Sequence, residues 1–94
     1  MFSLSWCREC KRSLELLQSI HVKPPHIIDL EDYDKTTSNT IREHMLTLSQ
    51  RRSVPNLFIG GEHAGGFAQT NQLHQEGKLL AMFQKVGWDS ATNR

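Results

Sequence analysis

Cys7-Arg8-Glu9-Cys10-Lys11-Arg12-Ser13-Leu14-Glu15-Leu16-Leu17-Gln18-Ser19-Ile20 puts two cysteines, two residues apart, at the head of an amphipathic pattern. Apolar side chains at Cys10, Leu14, Leu17 and Ile20 recur every three to four residues, the period of a helix with one buried face. Cys7 then falls at the helix N-terminus and Cys10 one turn inside it, on nearly the same face. A disulfide exchanges only when a thiolate attacks it, and a helix N-terminus and nearby cations are the usual devices that favour a thiolate. Arg8 and Lys11 act in that direction, and Glu9 acts against it. The spacing makes Cys7 the candidate nucleophile and the more apolar Cys10 the candidate resolving thiol. A plain core role would account for Cys10 alone, but not for Cys7 beside Trp6 at the exposed start.

The helix cannot continue past Lys23-Pro24-Pro25, because prolines remove backbone donors and disfavour helical geometry before them. His26-Ile27-Ile28-Asp29-Leu30 follows as a short β-branched strand. Glu31 to Thr40 is polar and rich in capping residues, and Ile41, Met45 and Leu48 mark a second helix that ends near Gln50. Ser53-Val54-Pro55 leads into a buried strand, Asn56-Leu57-Phe58-Ile59. Gly60-Gly61 turns it into the strand Glu62-His63-Ala64, which Gly65-Gly66 ends. Phe67 and Leu73 before Gly77, then Leu79, Leu80, Phe83 and Val86 before Gly87, read as two short helices closed by glycines. At the start, Met1 to Leu4 supply at most a first strand of about 13 Å. Asp89 to Arg94 reads as a frayed tail, and Trp88 as either packed on the last helix or exposed. Strand, helix, strand, helix, hairpin and helix in that order predict one α/β domain over residues 1–94, with a mixed sheet and helices on both faces.

The chain has 94 residues, 37% hydrophobic and 22% charged, which suits a globular protein without a membrane span. A formal net charge of +1 gives no dense basic face for nucleic acid. No basic start, apolar run or cleavage site resembling a secretory signal follows Met1, so a reducing compartment, the cytoplasm, is the expected location. With two cysteines in such a compartment, a redox pair outranks a structural staple. Zinc is not expected, since no second Cys-x-x-Cys or paired histidines complete four ligands. His21, His44, His63 and His74 read as surface residues, and His26 as a strand end.

Three segments together resemble the glutaredoxins: Phe2-Ser3-Leu4-Ser5-Trp6-Cys7-Arg8-Glu9-Cys10, then Arg52-Ser53-Val54-Pro55-Asn56-Leu57-Phe58-Ile59-Gly60-Gly61, then Gly65-Gly66 with Leu73 through Gly77-Lys78-Leu79. The resemblance spans Phe2 to about Val86. It implies a thioredoxin-like fold, a central mixed four-stranded sheet with a shortened first strand and flanking helices, and a cis peptide before Pro55. It also implies a monomeric, glutathione-dependent oxidoreductase whose partners are glutathione and disulfide-bonded or glutathionylated proteins. Glutathione would lie against Val54 and Pro55, with Arg52, or Arg51, meeting one carboxylate. Gly66 and the helix start Phe67-Ala68-Gln69 would receive the other. Three departures from the family pattern weaken or alter that recognition. Leu4 stands where a lysine is usual, Phe67-Ala68-Gln69 where a cysteine and an acid are common, and Arg8-Glu9 where proline and an aromatic residue are. Two other functions fit the same residues: a [2Fe-2S] cluster held between two protomers by the first cysteine and glutathione, and a thioredoxin-like reductase fed by a flavoenzyme.

Overall fold

The structure is a computed structural model that describes residues 1–88. Its elements are β1 (Phe2–Ser3), α1 (Arg8–Ser19), β2 (Ile28–Asp29), a 3-10 turn (Leu30–Asp32), α2 (Lys35–Ser49), β3 (Leu57–Ile59), β4 (Glu62–Gly65), α3 (Phe67–Gln75) and α4 (Leu79–Lys85). β1 pairs parallel with β2, Phe2 opposite Ile28, and β3 pairs antiparallel with β4. A single antiparallel bridge between Phe2 and Asn56 joins the two pairs. Phe2 N–H donates to Asn56 O at 2.9 Å and Asn56 N–H to Phe2 O at 3.1 Å. The spatial order is therefore β2-β1-β3-β4, a mixed four-stranded arrangement with a short first strand.

The second strand is shorter than its sequence suggests. Only Ile28 and Asp29 are extended and paired, because the Asp29 carboxylate accepts the Glu31 N–H at 2.9 Å and turns the chain into the 3-10 turn at Leu30. Asp34 caps α2 by accepting the Thr37 N–H at 2.7 Å, so this helix starts well before Ile41. Met45 is its buried anchor, whereas Leu48 is 55% exposed. Leu48 lies off the inward face just before the left-handed residue Gln50, at φ 60°, ends the helix.

Leu57 and Ile59 point from β3 into a core with Leu17, Val22, Ala64, Leu79 and Phe83. Each of the larger side chains among these, taken fully from water, stabilises the fold by about 1.5–3 kcal/mol. Phe58, between them, faces the other way, edge-on to Phe2 at 6.1 Å and beside the His63 ring at 5.0 Å. Gly60 and Gly61, at φ 58° and 86°, supply the left-handed pair that a two-residue hairpin demands. Helices α1 and α3 pack against each other and thereby bring the two ends of the sequence motif together. Trp88 is partly exposed, its ring lying 5.4 Å from Lys23 Nζ, and the tail from Asp89 lies outside the described residues. Among the described residues no helix is long and apolar enough to cross a membrane.

Candidate active site

Cys7 is the N-cap of α1, with extended backbone at φ −82° and ψ 122°. Its Sγ accepts the Cys10 N–H at 3.3 Å, the place a capping oxygen would take. The helix thus aims a free backbone donor at the half-buried Cys7 sulfur. Trp6, directly before it, is 68% exposed. Cys10 is buried, and both cysteines are free thiols. Burial pushes the Cys10 thiol up, and its hydrogen bond with Cys7 adds to this; hydrogen bonds from Ser3 and Leu4 act in the opposite direction without cancelling it. Two thiols a turn apart therefore differ in setting: one is accessible at the helix end, and the other is held protonated inside.

A cleft of about 150 Å³ opens beside the cysteine helix, lined by Glu9, Arg51, Val54, Pro55, Gly66, Phe67, Ala68 and Gln69. The Val54-Pro55 peptide is cis. Of the residues singled out in the sequence, Val54, Pro55, Gly66, Phe67, Ala68 and Gln69 come together here. Arg52 does not. Its guanidinium turns away to Glu43, 3.0 Å from Oε2, and its carbonyl accepts from Arg42 at 3.1 Å. The cation in the cleft is Arg51, which the sequence offered only as the second choice of two adjacent arginines.

Arg51 lies so close to Gly66 that a Cβ there would stand 2.8 Å from its Cζ. Its buried Nε has no hydrogen-bond partner in the structure. Its backbone rests against a polar chain: Ser49 Oγ, whose one proton goes to Met45 O at 2.6 Å, lies 3.2 Å from Arg51 O, and Asn56 Nδ2 donates to Ser49 Oγ at 3.0 Å and reaches Arg51 O at 3.5 Å. His63 completes this chain, Nε2 standing 2.6 Å from Asn56 Oδ1. Since Asn56 donates through Nδ2, Nε2 is assigned as the N–H that donates to Oδ1. His63 is thus half-buried and hydrogen-bonded, not the surface residue its sequence setting suggested. Burial and then the Arg51 charge hold its pKa below the usual 6.5.

Gln69 has an internal role. Its Oε1 accepts the Gly66 N–H at 3.2 Å and closes the first turn of α3, whose N-cap glycine has no side chain to do so. Leu4 is buried in the interior, and its carbonyl accepts the Cys7 N–H at 3.1 Å. That position shapes the turn into α1 and contributes no charge to the cleft.

A Cys-x-x-Cys pair at a helix start, whose intervening Glu9 lines a cleft walled by a cis-proline, defines the class of thioredoxin-fold thiol proteins. The sequence profile of the glutaredoxins matches residues 1–64, and the chain belongs to the glutaredoxin family. It is 35% identical over 88 residues to glutaredoxin-C2 of Arabidopsis thaliana, covering 93% of this chain and 76% of that one. To monothiol glutaredoxin-S10 of Oryza sativa subsp. japonica it is 33% identical, over 95% of this chain and 53% of that one. Among solved structures, a buckwheat glutaredoxin-glutathione complex superposes with a TM-score of 0.84 at 31% identity, over 94% of this chain and 77% of that one.

Proposed function

We propose that this protein is a glutathione-dependent thiol-disulfide oxidoreductase acting through the Cys7-Cys10 pair. The observation that carries the reading is the asymmetry of the two thiols: Cys7 capped by a backbone N–H at the surface, and Cys10 buried with its thiol pushed up. On a glutathionylated protein, the Cys7 thiolate attacks the glutathione sulfur, a Cys7-glutathione disulfide forms, and the protein thiolate leaves. The thiolate of a second glutathione then attacks the bound glutathione sulfur, which releases oxidised glutathione and Cys7 thiolate. On a protein disulfide, Cys7 forms the mixed disulfide with one protein sulfur. Cys10, once deprotonated, attacks the Cys7 sulfur, expels the protein thiolate and leaves Cys7-Cys10 oxidised. Potentials of about −200 to −230 mV, usual for glutaredoxins, allow the glutathione pool of the cytoplasm to reduce that bond.

Glutathione is assigned to the cleft on chemistry. Its γ-glutamyl end carries a carboxylate, and the cleft holds two groups suited to one, Arg51 with an unpartnered buried N–H and the start of α3. The relative crystallised with glutathione supports the assignment. The test is a coupled assay: glutathione with glutathione reductase is expected to sustain disulfide reduction. Turnover only with a thioredoxin reductase would overturn the glutathione reading. Visible charge-transfer absorption and paired subunits in anaerobically purified protein would favour a cluster-bearing role instead.

A further inference from the structure

Glutathione's γ-glutamyl end is a zwitterion, with a carboxylate and an ammonium group on one carbon. The cleft is too small to engulf a tripeptide, at about 150 Å³ against roughly 300–1,000 Å³ for sites that enclose drug-sized ligands. It is sized for one end. Its two formal charges have opposite sign: Arg51 from the segment before the cis-proline, and Glu9 from the first turn of α1. They are not spent on each other. Arg51 keeps a buried N–H without a partner, and the Glu9 carboxylate is held by Arg12 at 3.2 Å in a pair about half exposed on both sides. Arg12 is in turn fixed over the Phe67 ring, 4.3 Å from its centroid. That brace ties Glu9 to the start of α3, where a carboxylate bound by backbone N–H groups would sit.

We infer that Glu9 is the acceptor for the ammonium group of the γ-glutamyl moiety, while Arg51 and the α3 N-terminus take its carboxylate. This rests on the glutathione reading above. It gives a task to a residue that works against the nucleophile by charge alone, and it supplies an acid to a cleft in which Gln69 is neutral and occupied at Gly66. Glu9 thereby selects for a free ammonium group next to the carboxylate.

The test is calorimetric binding at pH 7 and fixed ionic strength, with wild type and E9Q. S-methylglutathione, which cannot exchange, is compared with the same molecule lacking the γ-glutamyl amino group. The expected result is that E9Q weakens S-methylglutathione about fivefold, in the range of a half-exposed charge-assisted pair. The desamino ligand should bind wild type and E9Q alike. Equal weakening of both ligands, or of neither, overturns the assignment of Glu9 and leaves the glutathione reading standing. If wild type binds neither ligand, the glutathione reading fails and this inference fails with it. Because neither ligand reacts at sulfur, any effect of Glu9 on Cys7 reactivity does not enter the comparison.

Discussion

The position of Arg51 is testable through a glycine that touches it. Gly66 has φ −78° and ψ −172°, extended backbone that any residue adopts, so alanine there incurs no backbone strain. The added Cβ would, however, overlap Arg51 Nη2 and stand 2.8 Å from Cζ and 3.3 Å from Nε. Those atoms are the far end of a long side chain, which yields by swinging away. G66A should therefore leave stability within about 0.5 kcal/mol of wild type while emptying the cleft of its cation. A hydrogen bond to a charged group contributes about 1.5–3 kcal/mol, and the open side of the cleft argues for the lower figure. About 1.5 kcal/mol corresponds to roughly a tenfold rise in KM for glutathione, read in the coupled glutathione reductase assay with kcat for exchange nearly unchanged. R51A should show the same rise. The decisive measurement is the double variant: once Arg51 is gone, G66A has nothing left to displace, and the double variant should match R51A. Additive losses would mean that the new methyl group obstructs the ligand itself, and the reasoning about Arg51 would be refuted.

C7S should abolish both deglutathionylation and protein-disulfide reduction, whereas C10S should retain deglutathionylation and accumulate mixed disulfides with protein substrates, visible by mass spectrometry. Dependence of deglutathionylation on Cys10 alone would reverse the roles assigned to the two thiols. His63 has a depressed pKa in the fold, so its neutral form is the stabilising one. Its contribution is complete above pH 6.5 and is lost as the pH falls through the lower folded value. Denaturation midpoints should therefore drop on acidification below that pH, and H63Q, which keeps an N–H for Asn56, should flatten the drop. Ser13 is buried on α1 with a hydroxyl that has no hydrogen-bond partner. S13A should stabilise the protein by about 1 kcal/mol, a rise in Tm of about 4–8 °C for a domain of this size, measured by thermal unfolding followed by circular dichroism.

The elements that the sequence revealed most directly are those dictated by local chemistry. The three-to-four spacing after Cys10 gives α1, Pro24-Pro25 bars its continuation, and Gly60-Gly61 gives the hairpin through positive φ at both residues. The extent of β2 was hidden because Ile27-Ile28 looks uniformly strand-like, while the decisive contact is the Asp29 side chain bending back to Glu31. Leu48 misled for a related reason: it extends an apolar stripe by three residues within α2, but it lies off the face that Met45 buries and is left exposed. In the site, the cysteine helix and the cleft segments were legible as motifs. The choice between Arg51 and Arg52 was not, since adjacent residues of the same type differ only in which direction the chain turns before Pro55. His63 and Asn56 carried no signal either, because their hydrogen bond joins β4 to the residue just before β3, and the pairing of those strands shifts register between Leu57 and Phe58.

Exchange chemistry and ligand recognition rest on different side chains, although the Phe2–Asn56 bridge joins their supports, and this makes the two experimentally divisible. Cys7 and Cys10 depend on the first turn of α1 and on the Ser3-Leu4 segment that hydrogen-bonds Cys10. The recognition cation depends instead on the end of α2 and on β3 and β4, through Ser49, Asn56 and His63 behind the Arg51 backbone. Glu9 belongs to both, one residue from the resolving cysteine in sequence and on the wall of the cleft in space. A change at Asn56 or His63 should therefore alter the affinity for glutathione without altering the order in which the thiols act. A change at Glu9 is the one most apt to move both, which is why its role has to be measured with ligands that cannot react.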